Sequence, residues 1–384
     1  MHSISFTLKY SLIPILLATI FCGQGCKSKE KAASLDFEEA YAFQEVIKVS
    51  DFGAKVNDNI DDTEAIQKAI NVALEPDQPS LVVFDAGVYD LRSGLVVARK
   101  LNDGNYGYVT ITLSGPIATY ALDQTIGSVT VFRSHHKGFM TAIQNGRNCV
   151  IQNIVFQGTA NYTGKFKSSY SSDTTLWGAA ANAKIHPNAP SCAIVIDPFH
   201  KNIPLKDQYG GLSRYYTNTH RSGTSMCLIK GCSFSAHFIA IANNTSGWCL
   251  NGDNVKAENC HAEFCYIFWA AGQDQSRANS IENLYAIHVN SLVHCAYIGS
   301  GRGTPPMLEK INLAGYSKEI ATIKTGFSGF NARQCYFENI EQIGSIEANY
   351  ASFEQCQFKF RTYGEPRFAP AYQLHASKVA SFND

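Results

Sequence analysis

Asp51-Phe-Gly-Ala-Lys-Val-Asn-Asp-Asn-Ile-Asp-Asp-Thr-Glu-Ala-Ile-Gln-Lys-Ala-Ile70, followed by Leu81-Val-Val-Phe-Asp-Ala-Gly-Val-Tyr-Asp-Leu91, is the stretch that decides the fold. Asp61 and Glu64 stand three apart, the spacing of a capping box, and Ile66, Ala69, Ile70 and Ala73 then recur at helical spacing. A short amphipathic helix is predicted there. Pro79-Ser80 breaks the chain. Leu81 to Phe84 is then an apolar, β-branched run ended by Asp-Ala-Gly, the pattern of a buried strand and its turn.

Self-similarity continues downstream. Asn148-Cys-Val-Ile-Gln-Asn-Ile-Val-Phe156, Met226-Cys-Leu-Ile-Lys-Gly-Cys-Ser-Phe234, Asn254-Val-Lys-Ala-Glu-Asn-Cys-His-Ala262 and Asn331-Ala-Arg-Gln-Cys-Tyr-Phe337 share one rhythm of strand, Asn or Gly turn, and strand. Cys232 and Cys260 are 28 residues apart and Cys335 and Cys356 are 21 apart, as expected for one coil of a solenoid per repeat. With 384 residues and 45% hydrophobic content, the chain can fill such a core without splitting into several domains.

The 51–91 stretch closely resembles the opening of pectate-lyase-like proteins. That resemblance implies an all-β chain wound as a right-handed parallel β-helix, a single-stranded solenoid with a short N-terminal capping helix that covers the apolar edge of the first coil. The β-helix is expected over residues 46–360, with a loop insertion near 157–225 and a tail or cap at 361–384. The insertion is rich in Tyr, Ser, Lys and Asn, but Cys192-Ala-Ile-Val-Ile-Asp197 within it reads as a buried strand. Long insertions in a solenoid lie on one face, often the binding face.

Lysine plus arginine equals aspartate plus glutamate at 32 each, so no global charge points to nucleic acid. Lys9 precedes an apolar stretch from Leu12 to Phe21 that is too short to span a bilayer core of about 30 Å, which makes residues 1 to about 30 a targeting segment. Cys26, after Gly25 and before a polar tether, looks like a bacterial lipoprotein acylation site, with Cys22 as the competing position. Neither has a leucine three residues upstream, so plain secretion stays open. Either way the chain is expected to be exported, to the outer membrane, the periplasm or the medium, and to meet a membrane only through a lipid anchor. The twelve cysteines favour a stacked internal ladder of small buried hydrophobes over bridges.

Three strands suggest a site. Aligning His237-Phe-Ile-Ala-Ile-Ala242, Glu263-Phe-Cys-Tyr-Ile-Phe268 and His294-Cys-Ala-Tyr-Ile-Gly299 puts His237, Glu263 and His294 on neighbouring coils, about 4.8 Å apart, with Glu341 extending the row. A carboxylic acid between imidazoles suits proton transfer, with Glu263 as general acid and His294 or His237 positioning it or a water. A hydrogen-bonded ladder without chemistry fits the same pattern. Tyr266, Trp269, Arg277, Tyr297, Arg302 and Glu341 are the expected substrate contacts. The Asn-Thr-Asp, Asp-Asp, Gly-His-Gly and Arg-Ile-Lys motifs of related polygalacturonases are missing from these strands, as is the aspartate cluster of calcium-dependent pectate lyases. A groove glutamate with a histidine on the next coil is similar, at the level of geometry, to iota-carrageenase-like hydrolases, although their Glu-x-Asp is Glu263-Phe-Cys265 here.

The resemblance therefore implies a polysaccharide-degrading enzyme, a glycoside hydrolase acting on an anionic (uronic or sulfated) glycan. The alternatives are a polysaccharide lyase with His or Arg302 as base, and a non-catalytic glycan-binding or structural surface protein. The expected partner is a polysaccharide, with no nucleic acid. No cofactor and no catalytic metal are expected, with room only for a structural calcium.

Overall fold

Two strands in each coil are joined by a single residue that must turn left-handed, and this position explains the repeat. A computed structural model describes residues 45–75, 79–102, 106–116, 128–136, 138–159, 192–197, 223–243, 253–271, 277–295, 304–323, 329–361, 373–374 and 381–383. Asn153, Gly231, Asn259, Asn283, Lys310, Gln334 and Gln355 occupy this corner in successive coils, all with φ between 52° and 59°. Asparagine tolerates that conformation better than most residues because its short side chain can bond locally. Here it also bonds between coils, with Asn283 Nδ2 donating to Asn259 Oδ1 at 2.6 Å. Ala236, Phe264, His288, Gly315 and Asn339 form a second such corner, and Asn148, Met226, Asn254 and Ala278 a third.

Between the corners lie three parallel sheets. The first runs from Glu45–Lys48 through Ser80–Val83, Ile111–Ser114, Val150–Gln152 and Leu228–Lys230 to Ala351–Glu354 and Ser381–Asn383. The second begins with Gly87–Leu91, Thr130–Ser134, Ile154–Gln157 and Ser233–Ser235. The third contains Leu95–Val97, Phe139–Ile143, Cys192–Ile196, Ile239–Asn243, Ile267–Ala271, Ser291–Cys295 and Ser317–Ile323. Long strands such as Lys256–Glu263 pass through a corner and serve two sheets. Every pairing among these is parallel, with a register shift only where Glu338 to Ile340 pairs with Lys359 and Phe360, so the chain is a parallel β-helix, of the right-handed class expected from the sequence.

In-register pairing places like on like inside the coil. Phe132, Phe156 and Phe234 are register partners in one column, and Phe84 and Phe268 extend the run of rings from neighbouring positions, with successive ring centroids 5.0, 5.6, 5.5 and 5.9 Å apart, all nearly or fully buried. Each such side chain contributes about 1.5–3 kcal/mol through removal from water. The expected cysteine ladder is present as two stacked pairs, Cys232 with Cys260 and Cys335 with Cys356, separated by Leu284 and Ile311 at the same position; each of the four follows a left-handed corner residue, and the nine described cysteines are free thiols. Cys192–Ile196 is the buried strand anticipated inside the insertion, whose remaining residues 160–191 and 198–222 lie outside the described residues.

The helix Thr63–Ala73 buries Ile66, Ala69, Ile70 and Ala73 against the first coil, as its periodicity predicts. The capping box does not form. Asp62 is the N-cap and makes no side-chain cap bond, because its carboxylate instead accepts from Lys55 N at 2.9 Å and Asp90 N at 3.1 Å. Asp61 accepts from the Thr63 amide and hydroxyl, and Glu64 turns outward to Lys68. Tertiary bonds to the coil have taken the place of the local cap.

The ladder makes a direct stability prediction. Phe156→Ala removes a ring between Phe132 and Phe234 and lowers the unfolding free energy by about 3–5 kcal/mol, read as a fall in denaturant midpoint. A loss under about 1 kcal/mol would mean that the rings are not packed on one another.

Candidate functional site

The three residues expected to form a row lie in three different places. Glu263 ends its strand on the second sheet, half-buried, between Ser235 and Ile287 of the neighbouring coils. His237 comes after the corner residue Ala236 and faces inward, fully buried, its Nε2 donating to Phe156 O at 3.1 Å. His294 is buried on the third sheet, paired with Ala270 and Thr322. The expected alignment used offsets of 26 and 31 residues, whereas Ile239 pairs with Ile267 (28) and Ile267 with Ser291 (24). The row of His237, Glu263, His294 and Glu341 is therefore corrected: the register does not bring these residues into one column.

The expected sugar contacts fare unevenly. Trp269 points into the core and is fully buried, and Tyr266 is buried with its ring stacked on Phe238 at 4.9 Å, so neither presents an open platform. Arg277 is exposed at the third corner region, its amide bonded to Asp253 Oδ1 at 2.7 Å. Glu341 is half-buried and accepts from Tyr316 OH at 2.7 Å. Tyr297, Arg302 and the lipidation candidate Cys26 lie outside the described residues.

What the register does bring together is a strip on the outer face of the third sheet. Each strand there turns two positions outward, three apart. In the earlier coils these are Phe139 and Ala142, Cys192 and Val195, Ile239 and Ala242, and Ile267 and Ala270, which form a separate apolar cluster. In the next three coils the same positions become Ser291 and His294, Glu319 and Thr322, and Gln342 and Ser345. The outer face switches from apolar to polar within one strand spacing.

Glu319 is the centre of that strip. It is only 6% exposed, and accepts from Thr322 Oγ1 at 2.6 Å, Ser291 Oγ at 3.0 Å and Gln342 Nε2 at 3.2 Å. A carboxylate offers about four acceptor sites, so these three donors leave room for roughly one more. Beside the strip, Tyr316 links Glu341 to Arg361, whose guanidinium lies 4.5 Å above the Tyr316 ring, and all three are half-buried. Gly344 shapes the last strand: it has φ 114°, and a Cβ there would run into the Ala321 carbonyl oxygen. Among the described residues, no group of three or more His, Cys, Asp or Glu side chains is placed to hold a metal ion.

Sequence reasoning missed Ser291, Glu319, Thr322 and Gln342. The signal was present in Ser291-Leu-Val-His294, Glu319-Ile-Ala-Thr322 and Gln342-Ile-Gly-Ser345, where polar residues three apart interrupt the pattern of Ile239-Ala-Ile-Ala242 and Ile267-Phe-Trp-Ala270.

Comparisons with known proteins add likeness of fold. No family model matches the chain, and no curated protein matches it by sequence. Among solved structures, WceF of Pantoea stewartii, described as a glycan biofilm modifying enzyme with a bacteriophage tailspike-like parallel β-helix fold, is 15% identical with a TM-score of 0.43, over 87% of this chain and 42% of that one. PfbA, a surface adhesin of Streptococcus pneumoniae, is 14% identical with a TM-score of 0.37, over 82% of this chain and 90% of that one. An iota-carrageenase complexed to iota-carrageenan fragments is 12% identical with a TM-score of 0.33, over 80% of this chain and 56% of that one. The alignments span 59%, 45% and 42% of the first three matched chains. The chain is a parallel β-helix protein.

The buried imidazoles give the fold a pH dependence. Burial pushes His237 down to about 4, and does the same to His261 on the second sheet. An unfolded histidine titrates near 6.5, so below that pH the unfolded chain takes up protons that the folded one refuses. Stability is fully present above about pH 6.5 and is lost as pH falls toward 4, with a slope of up to about 1.4 kcal/mol per pH unit from His237. The denaturant midpoint is expected to be lower at pH 5 than at pH 7, and the difference smaller in His237→Gln. Equal slopes in the two proteins would contradict the assignment.

Proposed function

We propose that this chain is a glycan-processing protein, a glycoside hydrolase acting on an anionic polysaccharide, with its site on the outer face of the third sheet around Glu319 rather than around Glu263. The observation that carries the reading is the change of that face from apolar to polar at Ser291, with a nearly buried carboxylate at its centre and a second one close by. Glu319 pairs with Gln342, whose chain neighbour is Glu341, so the two carboxylates come from adjacent coils. Hydrolysis of a glycosidic bond uses two carboxyl groups, one protonating the leaving oxygen and one acting as nucleophile or activating water. Arg361 and Tyr316 supply a cation and a ring at the rim, a pairing that suits an acidic sugar. His294 is the strand partner of Thr322, whose hydroxyl donates to Glu319.

A non-catalytic reading has one observation in its favour: three donors already occupy the Glu319 carboxylate, which a purely structural ladder would also require. Export, with or without a lipid on Cys26, belongs to the same proposal, since a polysaccharide substrate lies outside the cell.

The test is product analysis by mass spectrometry on a panel of uronic and sulfated polysaccharides, using the native protein and Glu319→Gln, Glu341→Gln and Glu263→Gln variants checked for unchanged melting temperature. Saturated oligosaccharides are expected, with a loss of roughly 10²–10⁴-fold in either of the first two variants and little change in the third. Activity lost in Glu263→Gln alone would overturn the placement, unsaturated ends would mean a lyase, and binding without products would mean a glycan-binding protein.

A further inference from the structure

Cys335 and Cys356 differ from the other cysteines of the internal ladder. The pairings Arg333 with Glu354 before them and Tyr336 with Gln357 after them set the two opposite each other on adjacent coils. Gln334 Nε2 bonds to Gln355 Oε1 at 3.1 Å just before the pair, and Gln357 N donates to Cys335 O at 2.8 Å just after it, so the backbone on both sides is tied. Parallel strands lie about 4.8 Å apart. That is inside the Cα separation of about 4.4–6.8 Å that a disulfide bridges. The Cys356 thiol also leans toward the preceding coil, bonding Ala332 O at 3.4 Å. Of the nine described cysteines, Cys356 alone is not buried.

We infer that Cys335 and Cys356 are a disulfide-forming pair, an oxidative modification site that links two consecutive coils near the C-terminal end of the solenoid. The reaction needs a small-molecule disulfide as oxidant. The half-exposed Cys356 thiolate attacks one sulfur of that reagent, breaking its S–S bond and expelling one thiol. Cys335 then attacks the Cys356 sulfur of the mixed disulfide and expels the second thiol. The two protein thiols lose two electrons and two protons, and the reagent gains them as two thiols. The hydrogen bond from Cys335 favours the first step, because it holds the Cys356 thiol below the ordinary range while Cys335 is raised. Cys232 and Cys260 also sit on adjacent coils but are both buried, and burial pushes the Cys260 thiol up to about 12, so that pair stays reduced.

The full chain, first reduced and freed of reductant, is incubated with oxidised glutathione, alkylated under denaturing conditions and mapped by non-reducing peptide mass spectrometry. A linked peptide pair joining Cys335 to Cys356, absent in Cys356→Ser, is expected, together with a melting temperature several degrees higher than that of the reduced protein. The proposal is overturned if both thiols remain alkylatable, if glutathione stays on Cys356 without transfer to Cys335, or if Cys232 and Cys260 link equally fast. Should Cys356→Ser fail to fold, the linked peptide in the native chain and its loss on re-reduction decide the matter alone.

Discussion

Everything in this protein depends on strands pairing in parallel with no slip between coils. That pairing is held by a left-handed residue at each corner. Where Asn259 and Asn283 stack, the corner residue both sets the backbone turn and bonds to its counterpart in the next coil. On the first two sheets, where side chains alternate between faces, a slip of one residue would exchange the core and outer sets. The phenylalanine ladder and the corner residues oppose such a slip together. One constrains volume and the other constrains backbone conformation.

The same register generates the polar strip. Once Ile239, Ile267, Ser291, Glu319 and Gln342 are forced into one column, the sequence at those positions sets the chemistry of one sheet face. Glu319 is nearly buried and would be costly there without partners. Its donors come from its own strand and from the coils on either side, so the carboxylate is satisfied only when three consecutive coils are aligned. A site built this way is rigid because it belongs to the sheet. The half-buried Tyr316, Glu341 and Arg361 at its edge are the groups that a ligand can reach first.

The architecture was legible because its signals are local and repeated. A polar residue or Gly at the corner, a cysteine or apolar residue just after it, and often a phenylalanine two further on, as at Phe156, Phe234, Phe337 and Phe358, mark the coil directly. The helix was legible as a face, through Ile66, Ala69, Ile70 and Ala73. Its cap was not, since the Asp61 and Asp62 carboxylates serve Thr63, Lys55, Asp90 and Arg92 across the fold. The site was harder for a different reason. The offset between paired strands ranges from 21 residues, at Phe330 with Ala351, to 78, at Val150 with Leu228, so aligning histidines by resemblance of short strands slipped the register. The 28-residue spacing of Cys232 and Cys260, carried three positions on, pairs Ser235 with Glu263 and moves His237 past the corner. His294 shares its sheet face with a carboxylate of the following coil, but that carboxylate is Glu319, the strand partner of Ser291.

The most direct test of this account is a crystal structure of the full chain at a resolution that defines side chains. Glu319 is expected on the outer face of the third sheet, within hydrogen-bonding distance of Ser291, Thr322 and Gln342, with Glu263 on the second sheet beside Ser235. Electron density placing Glu263 next to His237 or His294 on one strand face would contradict it.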